Sequence, residues 1–229
     1  MLVIGCKRYD DKEGFMSKIM SKIMSKIVMV FVVMNLIGIA VALFLESGLG
    51  SDSVGLLCDG IRHTFLISFG NASLFYNLLI ILIACLVARK NMGLGTIVYA
   101  LVSGYFIDFY SWILTDIHLA EQDMLIRILA FAIGQCCLSL GLALLIQLNL
   151  GMNALDAVLY KIQNHTNFSY TIMRTGCDIS YVVIGTVLGG TFGAGTICSV
   201  LVTGTMVTMI TNIIGRIQKY EYKWRYETN

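Results

Sequence analysis

The chain has 229 residues, of which 57% are hydrophobic and only 13% are charged. A soluble domain carries roughly 25% charged residues, so the composition excludes an ordinary soluble fold and predicts a protein of the lipid bilayer. The net charge of +2 gives no reason to expect a nucleic-acid partner.

Six apolar segments are each about 20 residues long, the length that crosses the hydrocarbon core as a helix. The predicted spans are Ile27–Leu45, Ala72–Ala88, Leu94–Leu114, Leu125–Leu148, Tyr170–Leu188 and Ala194–Ile214. The predicted fold is therefore all-α, a polytopic bundle of membrane helices without a soluble catalytic module. Its parts are a basic N-terminal tail (1–26), membrane repeat 1 (27–114), an outer loop (115–124), membrane repeat 2 (125–214) and a basic C-terminal tail (215–229).

The placement of Lys and Arg predicts the orientation of these spans. With both termini in the cytoplasm, 14 of the 16 basic residues lie inside, and only Arg62 and Arg127 lie outside. The outer connections are acidic instead, with Glu46, Asp52, Asp59, Asp116, Glu121 and Asp123. The sequence shows no cleavable signal peptide before the first span. We therefore expect a multi-pass protein of the bacterial inner membrane.

Residues 16–27 repeat the unit MSKI three times, which places Lys18, Lys22 and Lys26 on one helical face. A basic cluster beside a span binds anionic lipid at roughly 1 kcal/mol per Lys, or it only anchors the inner end of the span. Translation has four candidate starts, at Met1, Met16, Met20 and Met24.

An internal repeat relates the two halves of the chain. Residues 93–104 (GLGTIVYALVSG) and 193–204 (GAGTICSVLVTG) are identical at seven of twelve positions, and Leu49 with Gly50 recurs as Leu150 with Gly151. Each copy holds three spans, and two copies with odd span counts must lie in opposite orientations. The predicted architecture is two inverted three-helix repeats, which is common among secondary transporters.

Each repeat also contains a short amphipathic segment, Val54–Ile61 in the first and Ala154–Ile162 in the second. It is too short to span, so it lies at the interface or enters the bilayer and returns. A re-entrant helix directs its N-terminal dipole into the bilayer, where an anionic ligand is favoured. Asp52 and Asp156, near the two helix starts, are positioned to cap the helix or to line such a site.

Charged residues inside a span are candidates for function, because their burial in lipid is costly. Asp178 lies near the middle of the fifth span, Arg174 lies one turn before it, and Tyr181 extends the same face. The pair either binds an ion or a substrate, or forms a structural ion pair that holds this helix to a neighbour. The sequence leaves both interpretations open.

The repeat alignment adds two further candidates. Asp178 aligns with Asn77, and Asp108 aligns with Thr208, so each copy supplies one acid where the other has a neutral polar residue. Inverted symmetry predicts that these positions converge near the repeat interface. The pair Asn35 and Gln135, at an offset of 100, predicts hydrogen bonds between helices.

The two GxGT motifs include Gly95 and Gly195 and predict tight turns into the next span, with Thr96 and Thr196 as caps. The sequence has no phosphate loop, nucleophile elbow or zinc HExxH motif. Its seven Cys form no CxxC pair and its three His are scattered, so we expect neither a metal nor a cofactor, and no enzyme activity.

Several of these features together resemble the uncharacterised bacterial membrane proteins of the YczE/YyaS/YitT type. The features are the glycines at 48–50 and 151 before an acidic helix, Arg174 with Asp178, the Leu-Gly-Gly at 188–190 and the two GxGT turns. The resemblance covers about residues 28–214 and implies a polytopic membrane protein. It implies no defined activity, because the family has no agreed substrate.

The sequence favours a small-solute permease or secondary transporter, with Asp178, Arg174, Asp108, Asn77 and Tyr181 as candidate ligands. The expected partners are the bilayer, a small molecule and a second copy of the chain. Two alternatives are an accessory membrane protein that docks another membrane component and a substrate-capturing subunit that needs an energising module.

Overall fold

The computed structural model describes residues 3–87, 94–147, 154–166, 168 and 170–227. Within these residues the chain forms eight α-helices and no strand, which confirms the all-α prediction. The helices are α1 Val3–Ser47, α2 Ser53–Phe65, α3 Phe69–Val87, α4 Leu94–Thr115, α5 Met124–Gln147, α6 Ala154–Gln163, α7 Tyr170–Val187 and α8 Ala194–Glu227. A short 3₁₀ turn, Leu119–Glu121, lies between α4 and α5.

Five helical segments in the described part of the chain are long and apolar enough to cross a bilayer. They are Met24–Ser47, Phe69–Val87, Ile97–Thr115, Met124–Gln147 and Ala194–Ile217. These segments match five of the six predicted spans. The remaining predicted span forms α7, which is an 18-residue helix but is less apolar, because it carries Arg174 and Asp178.

The first and last helices extend beyond the predicted spans. Helix α1 continues from the membrane segment back to Val3, and α8 continues forward to Glu227. Backbone hydrogen bonds within a helix do not require apolar side chains, so a helix continues where the hydrophobic pattern ends. The predicted boundary at residue 27 therefore marks the edge of the apolar pattern and not the start of the helix.

Helix α1 forms the centre of the hydrophobic core and packs along α4 and α5. The ring of Phe44 on α1 contacts that of Phe131 on α5, with centroids 4.7 Å apart. Gly134 on α5 lies directly against Ala40 and Phe44, where a side chain would meet their atoms. Small residues let membrane helices approach closely in this way, since lipid supplies no hydrophobic drive for their association.

The two short helices pack across the halves of the chain. Helix α2, from the first half, lies on α7 of the second half, and α6 lies on α3. In the same way α1 packs on α4 while α5 packs on α8, and the neighbours α2 and α3 contact each other as α6 and α7 do.

Between α1 and α2 the chain reverses direction through two glycines with positive φ, Gly48 at 63° and Gly50 at 100°. A side chain is strained in this left-handed region, and at Gly50 it would also collide with the Thr196 hydroxyl. The loop is fixed to the start of α8, because Gly195 N donates to Leu49 O at 2.9 Å. The Gly-Leu-Gly motif of the first repeat thus contacts the GxGT motif of the second.

Backbone atoms of α2 and α7 touch at two glycines. A Cβ added at Gly185 of α7 would lie 2.6 Å from Leu56 O, and one at Gly60 of α2 would lie 2.5 Å from Gly185 O. Just beyond, α7 ends in a glycine motif, with Gly189 at φ 87° and Gly190 N donating to Gly185 O at 2.9 Å. The close contact between α2 and α7 therefore depends on glycine, which has no Cβ, at positions 60 and 185.

Replacing Gly185 with Ala should destabilise the protein by about 1–3 kcal/mol, because the new methyl group overlaps the α2 backbone. Thermal denaturation of the purified protein measures this change. The matched control is Gly176→Ala on the same helix, where an added Cβ meets no atom within 4 Å. This control should be neutral or slightly stabilising, since Ala favours a helix over Gly. Equal effects of the two variants would contradict the α2–α7 contact.

Candidate functional site

Asp178, at the middle of α7, forms the centre of a polar cluster. Its Oδ1 accepts a hydrogen bond of 2.6 Å from the Ser53 hydroxyl, at the first residue of α2. Its Oδ2 lies 3.3 Å from Nε of Arg174, one turn earlier on α7. The Asp178 side chain is 18% exposed and that of Arg174 33%, so the ion pair is only partly covered by protein. The structure therefore joins the predicted pair and adds Ser53 as a third member.

A second carboxylate lies beside this pair. Asp52 immediately precedes α2 and accepts a hydrogen bond of 3.2 Å from the Ser51 hydroxyl. Burial raises the pKa of the Asp52 carboxyl, and the hydrogen bond from Ser51 opposes that rise. The negative charge of Asp178 also raises the pKa of Asp52, while Arg174 lowers it. The N-terminus of α2 thus brings two carboxyl groups and one guanidinium together.

Two tyrosines complete the cluster. The Tyr76 hydroxyl on α3 donates to the Tyr181 hydroxyl on α7 at 3.3 Å, and the rings meet edge to face with centroids 5.6 Å apart. Tyr76 is buried in the main hydrophobic core. The cluster is therefore built where α2, α3 and α7 meet.

Asn77 and Asp108, two other predicted site residues, contribute to a different contact. The Asn77 amide donates to Ala100 O of α4 at 3.2 Å, and Asp108 Oδ1 of α4 accepts from Gly70 N of α3 at 2.7 Å. Both side chains hold α3 to α4, and Asp108 satisfies an amide in the first turn of α3. Their hydrogen bonds share no residue with those of Asp178, so the predicted set divides into two groups.

The glycine predictions have mixed outcomes. Gly50 and Gly195 lie at the contact between the α1–α2 loop and α8, as described above. Gly95 lies in the first turn of α4, and Gly151 lies outside the described residues. Thr196 was expected to cap its own helix, but its hydroxyl accepts a hydrogen bond of 3.2 Å from Ser51 N. It therefore joins the repeats instead.

Asp59, which the sequence assigns to an outer connection, is buried in the structure. Its side chain is 4% exposed. Its carboxylate accepts a hydrogen bond of 2.8 Å from Thr191 N. It also lies 3.8 Å from the Arg62 guanidinium and 3.6 Å from His63 Nε2. The face of α2 that carries Asp59 packs against the loop between α7 and α8. The Thr191 amide and the neighbouring Arg62 and His63 side chains compensate the burial of the carboxylate.

The predicted hydrogen bonds between spans are confirmed at both positions. Asn35 of α1 accepts a hydrogen bond of 2.6 Å from the Tyr110 hydroxyl of α4, and Gln135 of α5 donates one of 2.8 Å to the Thr203 hydroxyl of α8. In the described residues no group of three or more His, Cys, Asp or Glu side chains is arranged to hold a metal ion.

Sequence reasoning missed Ser53 and Tyr76 as members of the Asp178 cluster. Both were visible only as neighbours of residues already noted, Ser53 after Asp52 and Tyr76 before Asn77. Neither residue has a spacing relation to Asp178, because the contacts that join them cross between the two halves of the chain.

The helices and the buried polar cluster define a polytopic α-helical membrane protein. Residues 24–212 match the family described as "Family of unknown function (DUF6198)", and the chain belongs to that family. The resemblance to proteins of the YczE and YyaS type is thereby confirmed.

The chain is similar to three bacterial proteins. An uncharacterised protein of Haemophilus influenzae is 26% identical over 195 residues, covering 85% of this chain and 87% of its own. The uncharacterised protein YyaS of Bacillus subtilis is 21% identical over 182 residues, 79% of this chain and 90% of its own. The uncharacterised membrane protein YczE of the same organism is 23% identical over 143 residues, which cover 62% of this chain and 65% of its own. No solved structure matches.

Asp108→Ala should lower the stability of the folded protein by about 1–2 kcal/mol, because it removes an acceptor from the first turn of α3. The matched control is Thr208→Ala at the aligned position of the other repeat. Thr208 is exposed and its hydroxyl donates to Gly204 O of its own helix, so its loss should change the unfolding temperature little. The two temperatures, measured side by side, test whether Asp108 is structural.

Proposed function

We propose that the protein is a small-solute permease or secondary transporter without enzyme activity, and that Asp178, Arg174 and Tyr181 line its central site. The observation that carries the proposal is the cluster at the N-terminus of α2. There the Asp178 carboxylate, the Arg174 guanidinium and the hydroxyls of Ser53, Tyr76 and Tyr181 come together, in a molecule whose five other candidate spans carry few charged residues. Ionisable groups at such depth are costly, and the default explanation for them is function.

Two inverted repeats of three spans each are part of the proposal. If the first four helices are exchanged for the last four, three helix contacts map onto one another. The contact of α1 with α4 maps onto that of α5 with α8, the contact of α2 with α7 onto that of α6 with α3, and the contact of α2 with α3 onto that of α6 with α7. These three exchanges support a pseudo-two-fold relation, whereas the contact between α3 and α4 has no counterpart of similar extent between α7 and α8. Helix α7 then counts as the sixth span, with its charged face turned to protein and its Ile179 and Val183 exposed to lipid.

In this arrangement α2 is re-entrant. Asp178 is the ninth of the 18 residues in α7, so it lies about 13 Å from either end of that helix. Because Ser53 contacts Asp178 and Thr64 donates to Leu188 O, the first residue of α2 lies deep and its last turn lies near the end of α7. A helix N-terminus at the midplane is the typical substrate position in broken-helix transporters.

The proposed setting is the bacterial inner membrane with both termini in the cytoplasm. The proposed partners are a small-molecule ligand, anionic lipid at the basic segment that includes the exposed Lys26, and a second copy of the chain. Coupling to a proton gradient through a carboxylate of the site is included in the proposal.

A metabolite screen by thermal stabilisation tests the site. A ligand that binds the folded protein at 100 times its Kd stabilises it by about 2.7 kcal/mol, which raises Tm by about 5 °C or more. We expect such a ligand for the wild type and no shift for Asp178→Asn, which removes the charge but retains an acceptor for Ser53.

The control is Asp116→Asn, in the exposed connection after α4, which should bind like the wild type. A ligand that stabilises Asp178→Asn and the wild type equally would remove Asp178 from the site. A screen without a hit, together with copurification of another membrane protein, would favour the accessory role.

Reporter fusions at the two ends test the number of spans. Six spans place Met1 and Asn229 on the same side, whereas the five strongly apolar helices alone would place them on opposite sides. Each tail is basic, so we expect both ends to lie in the cytoplasm. A fluorescent protein fused to either end should then be bright, and alkaline phosphatase fused to either end should be inactive. Opposite results at the two ends would show that α7 does not span.

A further inference from the structure

One helix contact of the first repeat has no equal in the described part of the second. Helix α3 packs along α4, where a Cβ added at Gly104 would lie 2.5 Å from Gly70 O. Asp108 of α4 accepts a hydrogen bond of 2.7 Å from Gly70 N. Asn77 of α3 donates one of 3.2 Å to Ala100 O. Over the residues that the structure describes, the aligned helices α7 and α8 form no contact of similar extent.

This difference leaves one face of α8 open. Gly204 aligns with Gly104, but a Cβ added at Gly204 would meet no described atom of another helix within 4 Å. Val200 is 37% exposed, whereas the aligned Ala100, which contacts α3, is 4% exposed. Thr208, one turn after Gly204, is exposed as well. The face that α3 covers on α4 is therefore uncovered on α8.

Helix α7 is the segment that matches this face, because α7 corresponds to α3. Both helices contact the short helix of the other repeat at the same aligned position. Ala84 of α3 lies in an apolar cluster with Ala154 of α6. Gly185 of α7, aligned with Ala84, approaches Leu56 O of α2. Helix α7 thus keeps this contact of α3 and lacks the other one, the contact with the last helix of its own repeat.

We infer that the structure is one of two conformations, and that in the second conformation α7 packs on the open face of α8 around Gly204, as α3 packs on α4. Packed helices switch between discrete arrangements, and inverted repeats of one fold can adopt the two arrangements in turn. A glycine inside an exposed helix is unfavourable compared with alanine. No contact between described residues explains Gly204 in the present conformation, whereas a close approach of α7 does.

The second conformation, whose direction rests on the proposed transport function, makes the present one open to the cytoplasm. With both termini inside, α3 begins at its outer end, close to Gly70, and Asp108 is the fifteenth of 22 residues in the outward-running α4. The contact of α3 with α4 therefore closes the outer half of the molecule. By inverted symmetry the uncovered face of α8 lies in the inner half. Packing of α7 on α8, with separation of α3 from α4, opens the site to the outside.

Asp178 opposes this change, because of the group that it meets in the second conformation. In the contact of α3 with α4, Asn77 donates to Ala100 O. The aligned residues are Asp178 and Val200, so closure brings the Asp178 carboxylate to the carbonyl oxygen of Val200. A carboxylate only accepts hydrogen bonds, and two acceptors repel each other. Asp178→Asn instead supplies the amide donor that Asn77 supplies, and it favours closure.

Disulfide formation in native membranes tests the second conformation without any substrate. Thr171→Cys and Gly204→Cys occupy the positions aligned with the two glycines that meet between α3 and α4, and a disulfide requires their Cα atoms to lie within about 7 Å. Cys177 and Cys198, on the same helices, are replaced by Ala in every variant. We expect mass spectrometry of the monomer band to find this disulfide. Addition of Asp178→Asn should raise its yield about threefold or more, the effect of one hydrogen bond.

Two cysteine pairs serve as controls. Asn77→Cys with Ala100→Cys joins helices that touch in this structure and should form its disulfide under the same oxidation. Thr171→Cys with Thr205→Cys should form little, because Tyr105, the residue of α4 aligned with Thr205, is 66% exposed and not covered by a helix. Gly204→Cys enters open space, so it should not disturb the fold.

Three results would overturn the second conformation. The first is no disulfide between positions 171 and 204, with or without Asp178→Asn, while the positive control forms. The second is an equal yield at positions 204 and 205. The third is a disulfide between two chains with Gly204→Cys alone and none within one chain, which would show that a second copy covers α8. An unchanged yield in Asp178→Asn would reject the role of the carboxylate.

A disulfide between positions 171 and 204 together with a failed substrate screen would reject the proposed central site and leave the second conformation standing. The reverse pattern, a substrate whose stabilisation needs Asp178 with no disulfide in any variant of this pair, would reject only the closure of α7 on α8.

Discussion

The structure depends on the requirement that every polar backbone group at membrane depth be satisfied within the protein. The chain meets this requirement where it leaves α1 at Ser47. Arg127 Nε donates to Ser47 O at 2.7 Å, and Leu49 O and Ser51 N pair with the first residues of α8. These bonds fix the loop between α1 and α2 to α5 and α8, and the first residue of α2 in turn contacts Asp178.

Two candidate carboxylates on long helices, Asp178 and Asp108, each contact the start of a neighbouring helix. A helix that begins inside the bundle presents unpaired amides and a positive dipole end, which attract carboxylates. Asp178 accepts from the hydroxyl of Ser53, the first residue of α2, and Asp108 accepts from Gly70 N in the first turn of α3. The difference is the surroundings. Asp108 is matched to one amide in a tight glycine contact, whereas Asp178 shares its oxygens with a hydroxyl and a guanidinium and stays partly open.

The two repeats have kept similar contacts but different chemistry. Ser53 meets Asp178 where α2 crosses α7, while the aligned Ala154 of α6 packs with Ala84 of α3 in a small apolar cluster. The reverse holds in the long helices, where Gln135 has an open oxygen and Asn35 has none.

The sequence by itself determined the membrane class, the helical content and the positions of five apolar spans, because these follow from composition and from the length needed to cross lipid. It also determined the Arg174–Asp178 pair and the polar positions Asn35 and Gln135, which follow from spacing on one helix and from the repeat. Only the tertiary structure decided that Ser53 contacts Asp178 and Tyr76 contacts Tyr181, that Asp108 and Asn77 hold α3 to α4, and that Asp59 is buried. Those contacts cross between helices far apart in the chain, and no periodicity along the sequence encodes which faces meet.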